Sequence, residues 1–591
     1  MASKSRGAVD AFVDYLAALQ QIPPSTVGEW RSETGTLPSM STTSFRFSQK
    51  RGLLSYAVEY GDVALCHLVG RILGHEEINK RDQEGRTPLW YAALGVHSDV
   101  VKVLCQEGAD PNIVGKNDIS PLLSADNNGH LKVVECLYRK GANIEASSDF
   151  GTTPISCASK AGHVDIVKFL CEKGADINKP DSTKRRPISY ASEGGHTAIV
   201  SFLVREGADL NAKDAYQNIP AVYAVKKGHV DCLKILVSSD FDFEAKNKWG
   251  ETMLMMAVKG GHQKMVEWLL EHGASAINLR DERGRTPFSY AVASYKGQDV
   301  VKFLLSTGKV EIDSKDDDGR TPLSYAVARS DNHAMVKLLL DTGKVEVDSK
   351  DNDGRTPLSY AVARSDDHAT VKLLLDTGKV EVDSKDNDGR TPLSYAVARS
   401  DNHATVKLLL DTGKVEVDSK DNDGRTPLSY AVARSRNELN LKLLLGTGNV
   451  DINSKDDGGR SPLSWAAGNG PYHSVKELLL VGTVDVDARD LQGRTPLVHA
   501  LDYLLPNVSD RFDRRRGFHI ITAFLKTGRV NVDLTDNRDR TALDIAAAID
   551  GKGTSYEGRY RWWRKGNSVV KMLQEYKEGR FSGLPNPELL Y

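Results

Sequence analysis

What this chain lacks narrows its function before anything it contains. It has no charge of one sign in excess: 78 Lys and Arg stand against 80 Asp and Glu, a formal net charge of −2 in 591 residues. A balanced chain offers no global basic field to draw in nucleic acid or a membrane surface. Cysteine is scarce and one-sided, with Cys66, Cys105, Cys136, Cys157, Cys171 and Cys232 all in the first half. Cys105 (VLCQEGA) and Cys171 (FLCEKGA) fill one slot that carries Leu later on. They read as small apolar residues of a reducing compartment, not as a disulfide or zinc framework. No apolar run approaches the ~18 residues of a membrane span, and MASKSRGAVDAF lacks the apolar centre of a signal peptide. An intracellular protein without a membrane span is expected. G-x-x-x-x-G-K-[ST], H-E-x-x-H, G-x-S-x-G and paired C-x-x-C are all missing. The expectation is a non-enzyme with no catalytic residue, cofactor or metal.

What is present is repetition. Arg320–Gly354, Arg355–Gly389 and Arg390–Gly424 are near-copies reading RTPLSYAVARSD-(N/D)-HA-(M/T)-VKLLLDTGKVEVDSKDNDG. Upstream, Gly85, Gly151 and Gly250 fall on multiples of 33, with Asp118, Lys184 and Gln217 in the slots between them. A fixed period of this length marks a solenoid, in which each unit buries its apolar face against its neighbours. Within one unit, DNDG is a turn whose Gly supplies φ > 0. Thr356-Pro357 starts a helix: Thr caps free amides, and Pro sits where its missing N–H costs nothing. Leu358, Tyr360, Ala361 and Val362 form a short apolar helix. A second helix carries Val371, Leu373, Leu374 and Leu375, and Thr377-Gly378 ends it.

GRTPLWYAALGVHSDVVKVLCQEGADPN (Gly85–Asn112) and TTPISCASKAGHVDIVKFLCEKGADIN (Thr152–Asn178) resemble ankyrin repeats, and the resemblance runs over residues 50–576. It implies an all-α repeat solenoid, a stack of about 14–15 helix-turn-helix units joined by β-turn or hairpin loops. The later units are similar to those of large fungal ankyrin-repeat proteins. In them Ser324, Ser359, Ser394 and Ser429 stand where the family usually has His, so Ser must remake that buried hydrogen bond. The expected organisation is a helix (Ala8–Gln21) and a Pro/Ser/Thr-rich linker in 1–50, then 33-residue repeats in 51–281 with a degenerate first cap. Repeats of 35 residues follow in 282–490, with the near-identical block at 320–424. Two C-terminal repeats with inserts at Pro506–Gly517 and Gly551–Gly566 occupy 491–576, before a tail at 577–591. His130, His163, His196, His229 and His262 recur in the inter-helix turn and are expected to bond backbone, as are His333, His368 and His403.

The resemblance also implies that turn tips and the exposed end of each first helix line a concave groove that binds one or more proteins. Carried onto this chain, the groove takes rows of Arg320, Arg355, Arg390 and Arg425, and of Arg329, Arg364, Arg399 and Arg434, beside tip carboxylates such as Asp318 and Asp353. The competing structural account is that adjacent Asp and Arg pair with each other, each pair contributing ~0–1 kcal/mol. Trp90, Tyr216 and Trp249 are large aromatics at variable positions of the irregular repeats, the type that anchors interfaces. A basic-aromatic patch, Arg514, Arg515 and Arg516 with Arg561, Trp562, Trp563 and Arg564, is a second candidate surface, although the favoured account has Trp562 and Trp563 sealing the end of the stack while the arginines stay solvated. The favoured reading is a non-catalytic protein-interaction scaffold, such as a regulatory adaptor or a transcriptional co-regulator. The alternative is a nucleic-acid or anionic-lipid contact through that patch.

Overall fold

The structure, a computed structural model, describes residues 54, 58, 63, 66, 67, 78–95, 97–239, 241–329, 332–364, 368–399, 402–433, 438–501, 511–550 and 569–581, with backbone only at 511–515 and 550. The expected helix Ala8–Gln21, the linker after it, most of the first cap and the insert Gly551–Gly566 lie outside the described residues. Among the described residues there are 28 α-helices, hence 14 helix pairs, and no strand beyond an isolated bridge between Thr535 and Thr541. The all-α helix-turn-helix repeat expected from the sequence is therefore the observed fold. No described helix is long and apolar enough to cross a membrane.

The chain divides into two compact units, Met1–Ser275 and Ala276–Tyr591. In the first unit the helix pairs run from Pro88–Leu94 with Ser98–Gln106 to Met253–Lys259 with Gln263–His272. In the second they run from Pro287–Ala293 with Gln298–Ser306 to Ala542–Asp550 with Val569–Lys577. One expectation is corrected here. Residues 511–517 are not part of a loop between helices, because the second helix of that repeat spans Arg511–Lys526. Arginine is a strong helix former, and no proline interrupts the stretch.

The repeat around Gly354 shows why these residues fold as they do. Thr356 is extended (φ −89°, ψ 164°), and its hydroxyl accepts the amide of Ser359 at 3.3 Å while Pro357 opens the helix. The Ser359 hydroxyl lies 3.2 Å from that of Thr356, so a hydroxyl pair closes the turn where a His usually would. The helix Pro357–Val362 has only six residues, far too short to persist alone. Burial holds it: Leu358, Ala361 and Val362, with Val371 and Leu374 of the second helix, are all fully buried. The Thr377 hydroxyl then bonds the carbonyl of Leu374 at 2.7 Å, and Gly378 turns the chain away at φ 66°.

The turn before most of the first helices folds around a buried carboxylate. Asp351 Oδ1 accepts the amides of Asp353 (3.0 Å) and Arg355 (2.8 Å). Its Oδ2 accepts the Tyr360 hydroxyl at 2.5 Å and Arg355 Nε at 3.3 Å. The same clamp of an Asp, its fourth successor and its ninth recurs as Asp82–Arg86–Tyr91, Asp281–Arg285–Tyr290 and Asp316–Arg320–Tyr325. Trp465 and His499 replace the Tyr opposite Asp456 and Asp490. Burial works against ionisation of Asp82 and Asp281. The Tyr hydroxyl, two amides and the Arg guanidinium outweigh it and hold both carboxyls below their ordinary range. Successive turns are stitched together: the Asn387 amide donates to Asp353 O at 2.8 Å. A Cβ on Gly354 would stand 2.6 Å from Asn387 Oδ1, and φ 77° strains any other residue there.

Asp351→Ala is expected to destabilise the second unit by about 2–3 kcal/mol, since the amides, guanidinium and hydroxyl it serves all lose their acceptor. Tyr360→Phe should cost less, about 1 kcal/mol. Removing the exposed Asp353 should fall within ~0.5 kcal/mol of wild type. Urea unfolding of the three variants checks the order.

Candidate binding face

Two residues after each clamp position the chain reaches its outermost turn, and these tips form a register. In the first unit the register reads Glu84, Asn117, Phe150, Thr183, Tyr216 and Trp249. Each tip carbonyl up to Tyr216 accepts an amide of the next turn, at 2.6 Å for Glu84 and 2.9–3.0 Å for the others. The tips are thus held as a row by backbone bonds. Three carry large exposed rings: Phe150 is 67% accessible, Tyr216 42% and Trp249 46%. Tyr216 and Trp249 stack at 5.4 Å between centroids with 18° between planes. Sequence reasoning singled out these two but missed Phe150, which is recognisable by its shared register with them.

Trp90 sits apart from that pair, on the helix Pro88–Leu94, half-buried and edge-on to Tyr91 at 5.3 Å. It lines a cleft of about 380 Å³ together with Asn117, Ser148, Phe150, Cys157 and Tyr190. The cleft opens where the clamp is broken. Gly115 and Ser148 replace the clamp Asp in two successive repeats, and Ser124 and Cys157 replace the aromatic nine residues on. Burial pushes the Cys157 thiol up to about 12, which makes it a poor nucleophile. Behind the cleft, Asp126 is fully buried and neither carboxyl oxygen has a partner among the described residues. Its register carries Ala93, Ser159 and Ser192 in neighbouring repeats. Burial alone drives its carboxyl well above the usual range.

The arginine rows of the second unit have partners of their own. Arg320, Arg355 and Arg425 each place Nε 3.2–3.3 Å from the clamp Asp and a terminal nitrogen on the tip carboxylate, Asp318, Asp353 or Asp423. Arg390 bonds Asp388 at 3.3 Å and the Tyr430 hydroxyl of the next repeat at 3.2 Å. In the other row, Arg329 lies 3.5 Å over the Tyr295 ring, and Arg364 Nη1 donates to Ala328 O of the preceding repeat at 2.5 Å. Arg399 is exposed. Arg516 is half-buried within its helix. Arg434, Arg561, Trp562, Trp563, Arg564 and the side chains of Arg514 and Arg515 lie outside the described residues.

The first histidine ladder bonds backbone as expected. His130, His163, His196, His229 and His262 place Nε2 3.0–3.2 Å from carbonyls of the preceding repeat, Leu94, Asn127, Lys160, Glu193 and Lys226. The second ladder is corrected. His333, His368 and His403 are exposed first residues of their helices, because the longer turn shifts them outward. Asn402 and Asn440 make the backward bond instead, to Val362 O at 2.7 Å and Arg399 O at 2.8 Å. Among the described residues no group of His, Cys, Asp or Glu could hold a metal ion.

Asp126 gives a signed pH dependence. The folded state keeps a proton that the unfolded chain releases above the ordinary carboxylate range, so stability is lost as pH rises from that range toward the elevated pKa. Asp126→Ala is therefore expected to stabilise the first unit at neutral pH by about 1–3 kcal/mol. The gain should shrink toward about pH 4, where the unfolded carboxyl also protonates. Urea midpoints of both chains across that range are the measurement.

Among curated proteins none matches the chain. The family model described as ankyrin repeats (three copies) matches six overlapping windows, 54–148, 122–214, 221–316, 292–386, 362–456 and 433–508. The matched windows together cover most of the chain, from residue 54 to residue 508, and on that ground the chain belongs to the ankyrin-repeat family.

Proposed function

We propose that this chain is a non-catalytic scaffold whose partner proteins dock on the groove formed by turn tips and first helices, with specificity concentrated in the first unit. Repeats of this family imply protein interaction as such; the placement on this face is our reading. The observation that carries it is the row of exposed rings at Phe150, Tyr216 and Trp249, held in register by backbone bonds. Rigid aromatic surface is the usual source of interface hot spots, because it buries large area at little entropic cost. The duplicated block supports the same division. Its tip carboxylates and arginines already neutralise one another within each turn, so a partner would have to break those pairs to use them. A preorganised surface of this kind suits a regulatory adaptor, including a transcriptional co-regulator acting through partners.

The test is partner capture by the full chain and by two variants. Tyr216→Ala/Trp249→Ala is expected to weaken the captured partner roughly 10- to 100-fold without a change in fold. Arg320→Ala/Arg355→Ala should leave capture intact. The reverse pattern would move recognition to the duplicated block and overturn the proposal.

A further inference from the structure

We infer that the cleft bounded by Trp90 and Tyr190 is a receptor for a tyrosine side chain presented by a bound polypeptide. This rests on the scaffold reading above and adds to it the chemistry of one subsite. The chain itself shows what fits there. In the same unit the ninth residue after the clamp Asp is Tyr91, Tyr190 or Tyr223, each with its hydroxyl on the carboxylate of its own turn. Across the other described repeats that slot takes Tyr, Trp465 or His499, a flat ring with a polar edge, except where it is aliphatic, at Met256 and Ile545. Two successive repeats have lost both members of the clamp at once, as Gly115 with Ser124 and Ser148 with Cys157. Losing the ring alone would leave a buried carboxylate short of a donor; losing both to small residues leaves space, whereas beside Asn247 the slot is filled by the buried Met256.

That space is the cleft. Three of the four altered positions, Ser124, Ser148 and Cys157, lie on its lining, and its volume of about 380 Å³ has room for an incoming aromatic side chain. Its walls favour a ring with a hydroxyl over the alternatives. Tyr190 and Phe150 offer aromatic surface, and Phe150 at the mouth is 67% accessible. Among the described residues Ser148 Oγ accepts only the Thr152 amide, at 3.3 Å, which leaves its own proton to donate to a phenol oxygen. Lys160, also on the lining, disfavours a cationic occupant. The lining mixes aromatic and aliphatic side chains with polar ones, among them Asn117, Asn127, Asn128 and Thr152.

The experiment uses the full chain, N-acetyl-tyrosinamide as probe and N-acetyl-leucinamide as control, read by saturation-transfer NMR on the ligand. Wild type should saturate the tyrosine ring protons and give no comparable signal for leucinamide. Ser148→Asp/Cys157→Tyr rebuilds the clamp inside the cleft. It should reduce the tyrosinamide signal at least tenfold while the urea midpoint stays equal or rises. Cys157→Phe, which fills the space without a new carboxylate, serves if the double variant fails to fold. Equal saturation by wild type and a folded filled variant, or by the two probes, overturns the inference. Partner capture then separates this inference from the scaffold reading. Capture by wild type that is lost on filling supports a tyrosine from the partner. Capture retained after filling, with tyrosinamide binding abolished, overturns that assignment and leaves the scaffold intact. A wild-type chain that captures nothing counts against the scaffold reading itself.

Discussion

A carboxylate buried in a tight turn is costly unless its lone pairs find donors, and this fold is built by meeting that demand once in nearly every repeat. At Asp351 the donors come from three places: two amides of its own turn, the guanidinium four residues on and the hydroxyl nine residues on. The first pair shapes the turn. The last ties the turn to the first helix, adding to the burial that holds it. Because turn and helix are locked together, the tip is a fixed projection, and the next turn can bond to it through the backbone. The Asn247 repeat shows that geometry matters more than the identity of the charge. There the carboxylate has moved to Glu251, which receives Asn247 Nδ2 at 2.9 Å and Lys259 at 3.3 Å, while Asn247 Oδ1 still takes the Glu251 amide at 2.9 Å.

The functional difference proposed between the two units rests on what this frame holds outward. In the second unit the tips carry Asp318, Asp353, Asp388 and Asp423, each paired with an Arg of its own repeat. Such a surface is soluble and largely self-satisfied. In the first unit the same register carries rings that have no comparable internal use for their exposed faces, apart from the stack of Tyr216 on Trp249. The first unit is also where the frame is incomplete, at Gly115 and Ser148, and where a buried carboxylate, Asp126, goes unserved. Departures from the repeat cost stability, and they sit beside the surface proposed to bind.

Much of the fold was legible before any coordinates. The 33- and 35-residue periods, the Thr-Pro starts and the Gly ends place the helices, because capping and turn chemistry act over a few residues of chain. The first histidine ladder was legible for the same reason, since a fixed slot in a fixed repeat has a fixed neighbour. The second was not. One extra residue in the inter-helix turn moves His333, His368 and His403 to exposed helix starts, and the bond passes to Asn. The start of the helix at Arg511 was missed because a departure from the repeat looks like an inserted loop.

The proposed binding face was only half legible. The arginine rows stood out by repetition, yet whether Arg355 faces a partner or its own Asp351 and Asp353 depends on side-chain rotamers that no period encodes. Tyr216 and Trp249 could be named from sequence, but not their stacking, and Phe150 was overlooked beside them. The sequence alone determined the repeat, its local caps and the absence of catalytic motifs, all set by near neighbours along the chain. Tertiary structure decided which charges are already spent, which rings remain exposed and where the missing clamps leave a cleft. The charges are settled by rotamers within one folded turn, whereas the exposed rings and the cleft depend on contacts between residues about 33 positions apart, which exist only once the repeats are stacked.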